Sequence, residues 1–87
     1  MALLAIQHTV CDYPAWRAIY DSLDEVRRDW GVTAASVHQL ADAPNTVLVL
    51  LHFATVAQAQ GFLTNRQIRV AMERAGLEST PRIEIYA

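Results

Sequence analysis

Apolar residues follow two different spacings along this chain, and the spacings predict strands and helices in alternation. Residues 3–10 are short, mostly apolar and β-branched at their end, which is typical of a strand. After Asp12, a good helix N-cap followed by Pro14, apolar side chains recur every three or four residues up to Gly31, which predicts an amphipathic helix. The apolar positions of this helix are Trp16, Ile19, Tyr20, Leu23, Val26 and Trp30.

The next segment predicts a hairpin followed by a second helical region. Residues 32–41 and 46–53 are mostly apolar, and the four residues between them favour a turn, so the two stretches predict paired strands. Thr55 opens a capping box, which predicts a helix start. Residues 64–67 repeat the capping spacing and predict a break before a short helix that Gly76 ends.

Residues 81–87 alternate between apolar and polar side chains, which predicts a half-buried last strand. The element order is then β-α-β-β-α-β. In this ferredoxin-like order, right-handed crossovers place both helices on one face of a four-stranded antiparallel sheet. A chain of 87 residues holds one hydrophobic core, so residues 1–87 are expected to form a single α+β domain.

The opposite face of this sheet is expected to be covered by a second copy of the chain. Residues 46–53 lack the alternation of a strand with one wet face, so both faces of the strand are expected to be buried. Leaving Leu48 and Leu50 in water would forgo roughly 1.5–3 kcal/mol for each side chain. Two sheets packed face to face in a homodimer, a dimeric α+β barrel, would bury them and could enclose a cavity.

The composition limits the partners and the compartment of the protein. Hydrophobic residues make up 53% of the chain and charged residues 18%, which excludes a disordered protein. The net charge is −2 and the seven arginines form no dense run, so nucleic acid is not an expected partner. No apolar run reaches the roughly 20 residues that span a bilayer, and Cys11 is the only cysteine. We therefore expect a cytoplasmic protein that binds no membrane.

Three segments resemble small proteins of the dimeric α+β-barrel superfamily, namely residues 8–16, Phe62-Leu63 and residues 71–76. In particular they resemble antibiotic-biosynthesis monooxygenases and short cyclase-like proteins. The resemblance implies a homodimer whose pocket holds a hydrophobic, aromatic or polyketide-like molecule, and cofactor-free oxygenation, cyclisation or isomerisation of it. The haem-degrading branch has an asparagine on the first strand and a histidine in the second helical region. This chain has Gln7 and no histidine there, so neither haem nor another cofactor is expected.

Three histidines fall on three different predicted strands and raise the question of a metal site. A four-residue turn would pair His52 with Ala35 and His38 with Val49, and paired residues share a face of the sheet. His38 and His52 would then lie on opposite faces, so they could not join His8 in one cluster. A β-bulge in the hairpin would reverse this prediction. Without one, no metal is expected.

His52 is placed on the pocket side of the sheet by its neighbours on the strand. The bulkier alternate positions of this strand suit the helix-covered side, and they are Val47, Val49, Leu51 and Phe53. His52 then faces the pocket together with Leu48 and Leu50. The same hairpin pairing assigns Val37 and Gln39 to that face.

The last strand supplies polar groups for the same pocket. Ile83 and Ile85 suit the core, which sends Arg82, Glu84 and Tyr86 towards the second sheet or solvent. An imidazole of near-neutral pKa beside a tyrosine and an acid can move protons from an activated substrate. His52 is therefore a candidate catalytic base. The alternative is a hydrogen-bonded interior or interface histidine.

His8 is the second candidate base, because the resemblance covers it directly. It shares a strand face with Leu4, Ile6 and Val10, and neither face of this strand is decisively the core side. The face that His8 occupies therefore stays open. A buried, hydrogen-bonded role is its alternative.

Two functions remain open from the sequence. The first is a cofactor-independent monooxygenase or cyclase, with His52 or His8 as base and Tyr86 or Arg82 stabilising negative charge. The second is a non-catalytic ligand-binding or assembly module whose side chains fill its own interior. An open apolar cavity with convergent polar groups would favour the first, and a sealed interior the second.

Overall fold

A computed structural model describes residues 1–74 and 80–87, and this part of the chain forms four strands and four helices. The strands are β1 (Ala2–Thr9), β2 (Ala34–Leu40), β3 (Ala43–Phe53) and β4 (Arg82–Tyr86), and the helices are α1 (Tyr13–Ser22), α2 (Asp24–Asp29), α3 (Val56–Thr64) and α4 (Arg66–Arg74). The predicted helix end at Gly76 lies outside the described residues. Among the helices described, none has the length and apolar character needed to cross a membrane.

The strands form one antiparallel sheet in the order β2-β3-β1-β4, which confirms the predicted ferredoxin-like fold. Burial alternates residue by residue along β1, because one side of each strand faces the helices. The helix-covered face supplies most of the core, and the set predicted for β3 is confirmed. The buried apolar side chains are Ala2, Leu4, Ile6, Val10, Trp16, Val32, Val47, Val49, Leu51, Phe53, Ala59, Phe62 and Ile68.

The other side of the sheet, here called the uncovered face, has no described helix packed on it. Its residues follow from the strand pairing and are Leu3, Ala5, Gln7, Thr9, Ala34, Ser36, His38, Thr46, Leu48, Leu50, His52, Arg82, Glu84 and Tyr86. Leucine and alanine occupy the middle of this face, and polar side chains surround them. Leu48 and Leu50 are half-buried in the single chain, which fits the strand pattern that predicted a second layer.

Each predicted helical region is divided in two. The first region breaks at Leu23, whose N–H bonds to the carbonyl of Tyr20 three residues back at 3.1 Å, so the turn tightens without losing the apolar stripe. The second region breaks at Asn65, within the predicted segment. The side-chain oxygen of Asn65 accepts from the N–H of Gln67 at 2.7 Å. The predicted cap on α3 is also present, because Thr55 Oγ1 accepts from the N–H of Gln58.

The hairpin prediction was wrong by one residue. His52 pairs with Ala34 and His38 with Leu48, and a β-bulge at Gln39–Leu40 then leads into a shorter turn. Pro44 explains the bulge, since it has no N–H to donate to the ladder. The shift corrects two predictions.

His38 and His52 lie on the same face, the uncovered one, and not on opposite faces. Val37 and Gln39 lie on the helix-covered face, because they pair with the buried Val49 and Val47. They therefore do not share a pocket side with His52. Gln39 instead donates its side-chain amide to the carbonyl of Pro44 at 3.2 Å, beside the bulge.

Asn45 links this hairpin to the connection between β1 and α1. Its backbone carbonyl accepts from Val10, its Oδ1 accepts from the N–H of Tyr13 at 3.1 Å, and its Nδ2 donates to the carbonyl of Cys11. The N–H of Tyr13 is one of the first amides of α1, which have no partner inside the helix. Asn45 therefore acts as a remote cap of α1.

Replacing Asn45 by alanine is expected to lower the free energy of unfolding by about 1–2 kcal/mol, the range for lost caps and hydrogen bonds. Urea denaturation followed by circular dichroism measures it. Asn45→Asp is the matched control, because it keeps the oxygen that caps α1 and should lose less. Equal stability of Asn45→Ala and the natural chain would contradict the capping role.

Candidate functional site

A cavity of about 70 Å³ lies between the sheet and the helices. Most of its lining is apolar, and these residues are Ile6, Ile19, Leu23, Val49, Leu51, Phe62, Ile68, Ala71 and Met72. The remaining lining consists of His8, Trp16, Tyr20 and Arg27. Three ionisable side chains, His8, Tyr20 and Arg27, thus line an otherwise apolar cavity on the helix-covered face, whereas the sequence predicted a pocket on the opposite face.

His8 belongs to the helix-covered face, which settles the question that the sequence left open. It lies on the same face of β1 as Leu4 and Ile6 and is only 5% exposed. Its ring meets Trp16 edge to face, with 5.5 Å between centroids. Nδ1 is buried and has no hydrogen-bond partner among the described residues.

Burial fixes the protonation state of His8. Removal from water lowers the pKa of its imidazole below the ordinary 6.5, because the charged form loses its hydration. The ring is therefore neutral at pH 7. A neutral imidazole with a free ring nitrogen can accept a proton or a hydrogen bond from a bound molecule.

Three side chains stack beside His8 because helical spacing brings them to one side. Trp16 and Tyr20 are four residues apart, and their rings are stacked with centroids 5.2 Å apart. The guanidinium of Arg27 lies 3.6 Å from the centre of the Tyr20 ring, a cation–π contact. This stack forms one wall of the cavity.

Arg27 is a buried cation with incomplete pairing. Its residue is 6% exposed, and Nη1 donates to the carbonyl of Tyr20 at 2.6 Å. Nη2 lies 3.7 Å from Asp24, while Nε has no hydrogen-bond partner among the described residues. Burial lowers the pKa of Arg27 and raises that of Tyr20 from their ordinary values, since both charged forms are desolvated.

Apart from Val37 and Gln39, the other predicted site residues lie on the uncovered face. Strand pairing puts His52 and Tyr86 on either side of Leu3, and Leu50 and Glu84 on either side of Ala5. In the next row Leu48 and Arg82 flank Gln7, and Arg82 Nε lies 3.2 Å from a carboxylate oxygen of Glu84.

The sheet therefore separates the four candidate catalytic residues into two groups. His52, Tyr86 and Arg82 share the uncovered face, whereas His8 lies under the helices. His52 and Tyr86 lie in one row of that face, on either side of Leu3, and Arg82 lies two rows away, beside Gln7. Within one subunit none of them shares a face with His8.

The histidines do not converge on a metal site. His38 shares the uncovered face with His52, but it is paired with Leu48, four residues away along β3, and it contacts the hydroxyl of Ser36 at 3.0 Å. His8 is on the other face. Within residues 1–74 and 80–87 no three side chains of the usual ligating types come close enough to hold a metal ion.

Arg27 is the cavity residue that sequence reasoning missed. Trp16 and Tyr20 were among the apolar positions predicted for the first helix, but Arg27 was not singled out. Its position carried a signal, since Tyr20, Leu23 and Arg27 follow the three- and four-residue spacing of the buried stripe. A charged residue at such a position is expected to have a specific role.

Solved structures share this fold over the full chain. An antibiotic biosynthesis monooxygenase superposes with a TM-score of 0.79 at 10% identity, covering 100% of this chain and 97% of that one. SnoaB of Streptomyces nogalater, a cofactor-independent oxygenase, gives 0.80 at 12% identity, with 99% and 90% covered. A conserved protein of Methanosarcina mazei Go1 gives 0.80 at 15% identity, with 99% and 91% covered.

These likenesses confirm the predicted fold. No protein-family model and no curated protein sequence matches the chain. At identities of 10–15% the shared fold carries no assignment of activity, since one fold hosts many functions.

Proposed function

We propose that the protein is a cofactor-independent monooxygenase that binds a hydrophobic aromatic molecule in the cavity under its helices. The observation that carries the proposal is the neutral His8 imidazole on an apolar cavity, with Nδ1 lacking a partner among the described residues. The likeness to SnoaB, an oxygenase that needs no cofactor, supports the same class. An unpaired buried nitrogen destabilises the fold by about 1–3 kcal/mol, and a functional role would explain its retention.

In the proposed reaction His8 is the general base. It removes a proton from a carbon that the substrate's own carbonyl group acidifies, and the carbanion transfers its electrons to O₂. The resulting hydroperoxide loses water and leaves a new carbonyl, so the CH₂ group and O₂ become C=O and H₂O. The proton on His8 leaves with that water. The apolar lining excludes bulk water, which would otherwise quench the carbanion.

The proposal includes a homodimer formed through the uncovered face. Leu48 and Leu50 lie at its centre, and a second sheet would remove them from water. His52, Tyr86 and Arg82 would then lie between the two sheets, where they remain a second candidate proton-transfer group. Glu84 would line the same space.

The size of the cavity bears on the competing function, a packed module without catalysis. About 70 Å³ is less than the roughly 150 Å³ that holds a benzene molecule. An aromatic ligand must therefore displace side chains or extend beyond the cavity. A negative activity test would favour this competing function, in which side chains fill the interior and no ligand binds.

Purified protein is expected to convert an anthrone-type substrate to the quinone in air without added cofactor and in the presence of EDTA. Under ¹⁸O₂ one oxygen-18 atom should enter the product, because the new carbonyl oxygen comes from dioxygen. Mass spectrometry in ¹⁸O-free water, with boiled protein as control, measures this. Failure to convert or to bind any member of a broad aromatic panel would overturn the proposal in favour of the packed module.

A further inference from the structure

Arg27 is poorly compensated for a buried cation. Its nearest carboxylate, on Asp24, is 3.7 Å away, has a side chain that is 58% exposed, and also pairs with Arg28 at 2.8 Å. The remaining contacts are a backbone carbonyl and the face of the Tyr20 ring. A desolvated charge with so little pairing is strongly destabilising unless an anion completes it.

The cavity that Arg27 lines adjoins a groove between the α1–α2 pair and α4, and Ile19, Leu23 and Ala71 line both. The groove opens to solvent and is mainly apolar. A flat molecule too large for the cavity can hold one end beside Arg27 and reach the groove by displacing these three side chains.

Two further arginines line the groove. Arg66 and Arg74 lie at the two ends of α4, and neither takes part in an ion pair within the residues that the structure describes. Positive potential along the groove favours the approach of an anion. Of these three arginines Arg27 is the buried one, and pairing with a carboxylate is stronger where water is excluded.

We infer that the cavity and groove bind an aromatic carboxylate, with its carboxylate on the guanidinium of Arg27 and its rings between α1 and α4. This inference rests on the proposed function and deepens it by naming the charge of the substrate. His8 lies at the same cavity and would face the part of the ring nearest the carboxylate. The carboxylate would accept from Arg27 Nε, which has no hydrogen-bond partner among the described residues.

The test compares 2-naphthoate with its neutral analogue 2-naphthamide by isothermal titration calorimetry at low salt. The natural chain is expected to bind naphthoate about 10- to 100-fold more tightly, the range for a hydrogen bond to a charged group. Arg27→Met is expected to remove that preference, so that the two probes bind with similar affinity. Methionine fills similar space, and replacing a buried ion by an apolar side chain is often neutral for stability.

Arg28→Met is the matched control, because Arg28 neighbours Arg27 but is exposed and should leave the preference intact. Asp24→Asn gives a second measurement if Arg27→Met fails to fold. It removes the competing carboxylate, so naphthoate binding should tighten while naphthamide binding stays constant.

Three results would overturn the inference. Equal affinities of the natural chain for both probes would reject the carboxylate and leave the proposed aromatic site standing. A preference lost in Arg66→Gln or Arg74→Gln but kept in Arg27→Met would put the carboxylate in the groove beside α4. Binding of neither probe would overturn this inference, whereas the proposed function falls only with failure across the broad aromatic panel.

Discussion

Replacing His8 by glutamine is expected to lower turnover of an anthrone-type substrate by about 10²–10⁴-fold, the usual contribution of a general base. Glutamine fills similar space and can still form hydrogen bonds, but it cannot accept a proton at neutral pH. The far-ultraviolet circular dichroism spectrum should be unchanged. Steady-state oxygen consumption with the natural chain as reference measures the effect.

His52→Gln is the matched control, since His52 lies on the uncovered face, across the sheet from His8. It should retain activity within a few-fold. The reverse result, with turnover lost in His52→Gln and kept in His8→Gln, would move the base to the space between the two sheets. That outcome would contradict the site under the helices.

The pH dependence of the natural chain provides a further check on the same residue. Burial lowers the pKa of His8 below 6.5. The value of kcat/KM should therefore change little above pH 7 and fall at acid pH, with a midpoint below pH 6.5. The free energy of unfolding depends on pH in the same direction as kcat/KM. The unfolded chain binds the His8 proton more readily, so the free energy of unfolding falls as the pH drops below 6.5. His8→Gln should remove this contribution. An acid limb centred above 6.5 would argue against a buried base.

The sequence was informative about the fold because each element had its own spacing. The alternation on β4 and the apolar β3 defined the sheet, and the capping pattern near Asn65 marked the helix break. The hairpin register was not predicted, since the irregularity at Gln39–Leu40, beside Pro44, shifts the pairs of residues 34–39 by one residue. Faces assigned through that hairpin therefore failed for Val37 and Gln39.

The cavity could be anticipated only in part. His8 was a candidate, but both faces of β1 carry apolar residues, so the sequence did not say which one the helices cover. For Arg27 the sequence indicated the buried face but not the unpaired atom. Its place on the buried stripe after Tyr20 and Leu23 was visible, whereas the missing hydrogen-bond partner of Nε depends on side-chain positions that no local spacing reveals.

Replacing Leu50 by aspartate is expected to convert the proposed homodimer into a monomer. Leu50 lies between Ser36 and Ala5 at the centre of the uncovered face, where two sheets would meet. A twofold interface repeats each substitution, so two unpaired carboxylates would be buried in every dimer. The dimer dissociation constant should rise by more than about 100-fold, because burying even one unpaired charge costs several kcal/mol. Sedimentation equilibrium at micromolar concentration measures it.

Val70→Asp provides the control for the added charge, because Val70 is 37% exposed on α4, on the helix side of the sheet. It should leave the dimer intact. A natural chain that sediments as a monomer would reject the homodimer outright, and a Leu50→Asp protein that stays dimeric would place the interface elsewhere. In either case another partner or element would have to bury Leu48 and Leu50, since they form the apolar centre of a face on which no described helix packs.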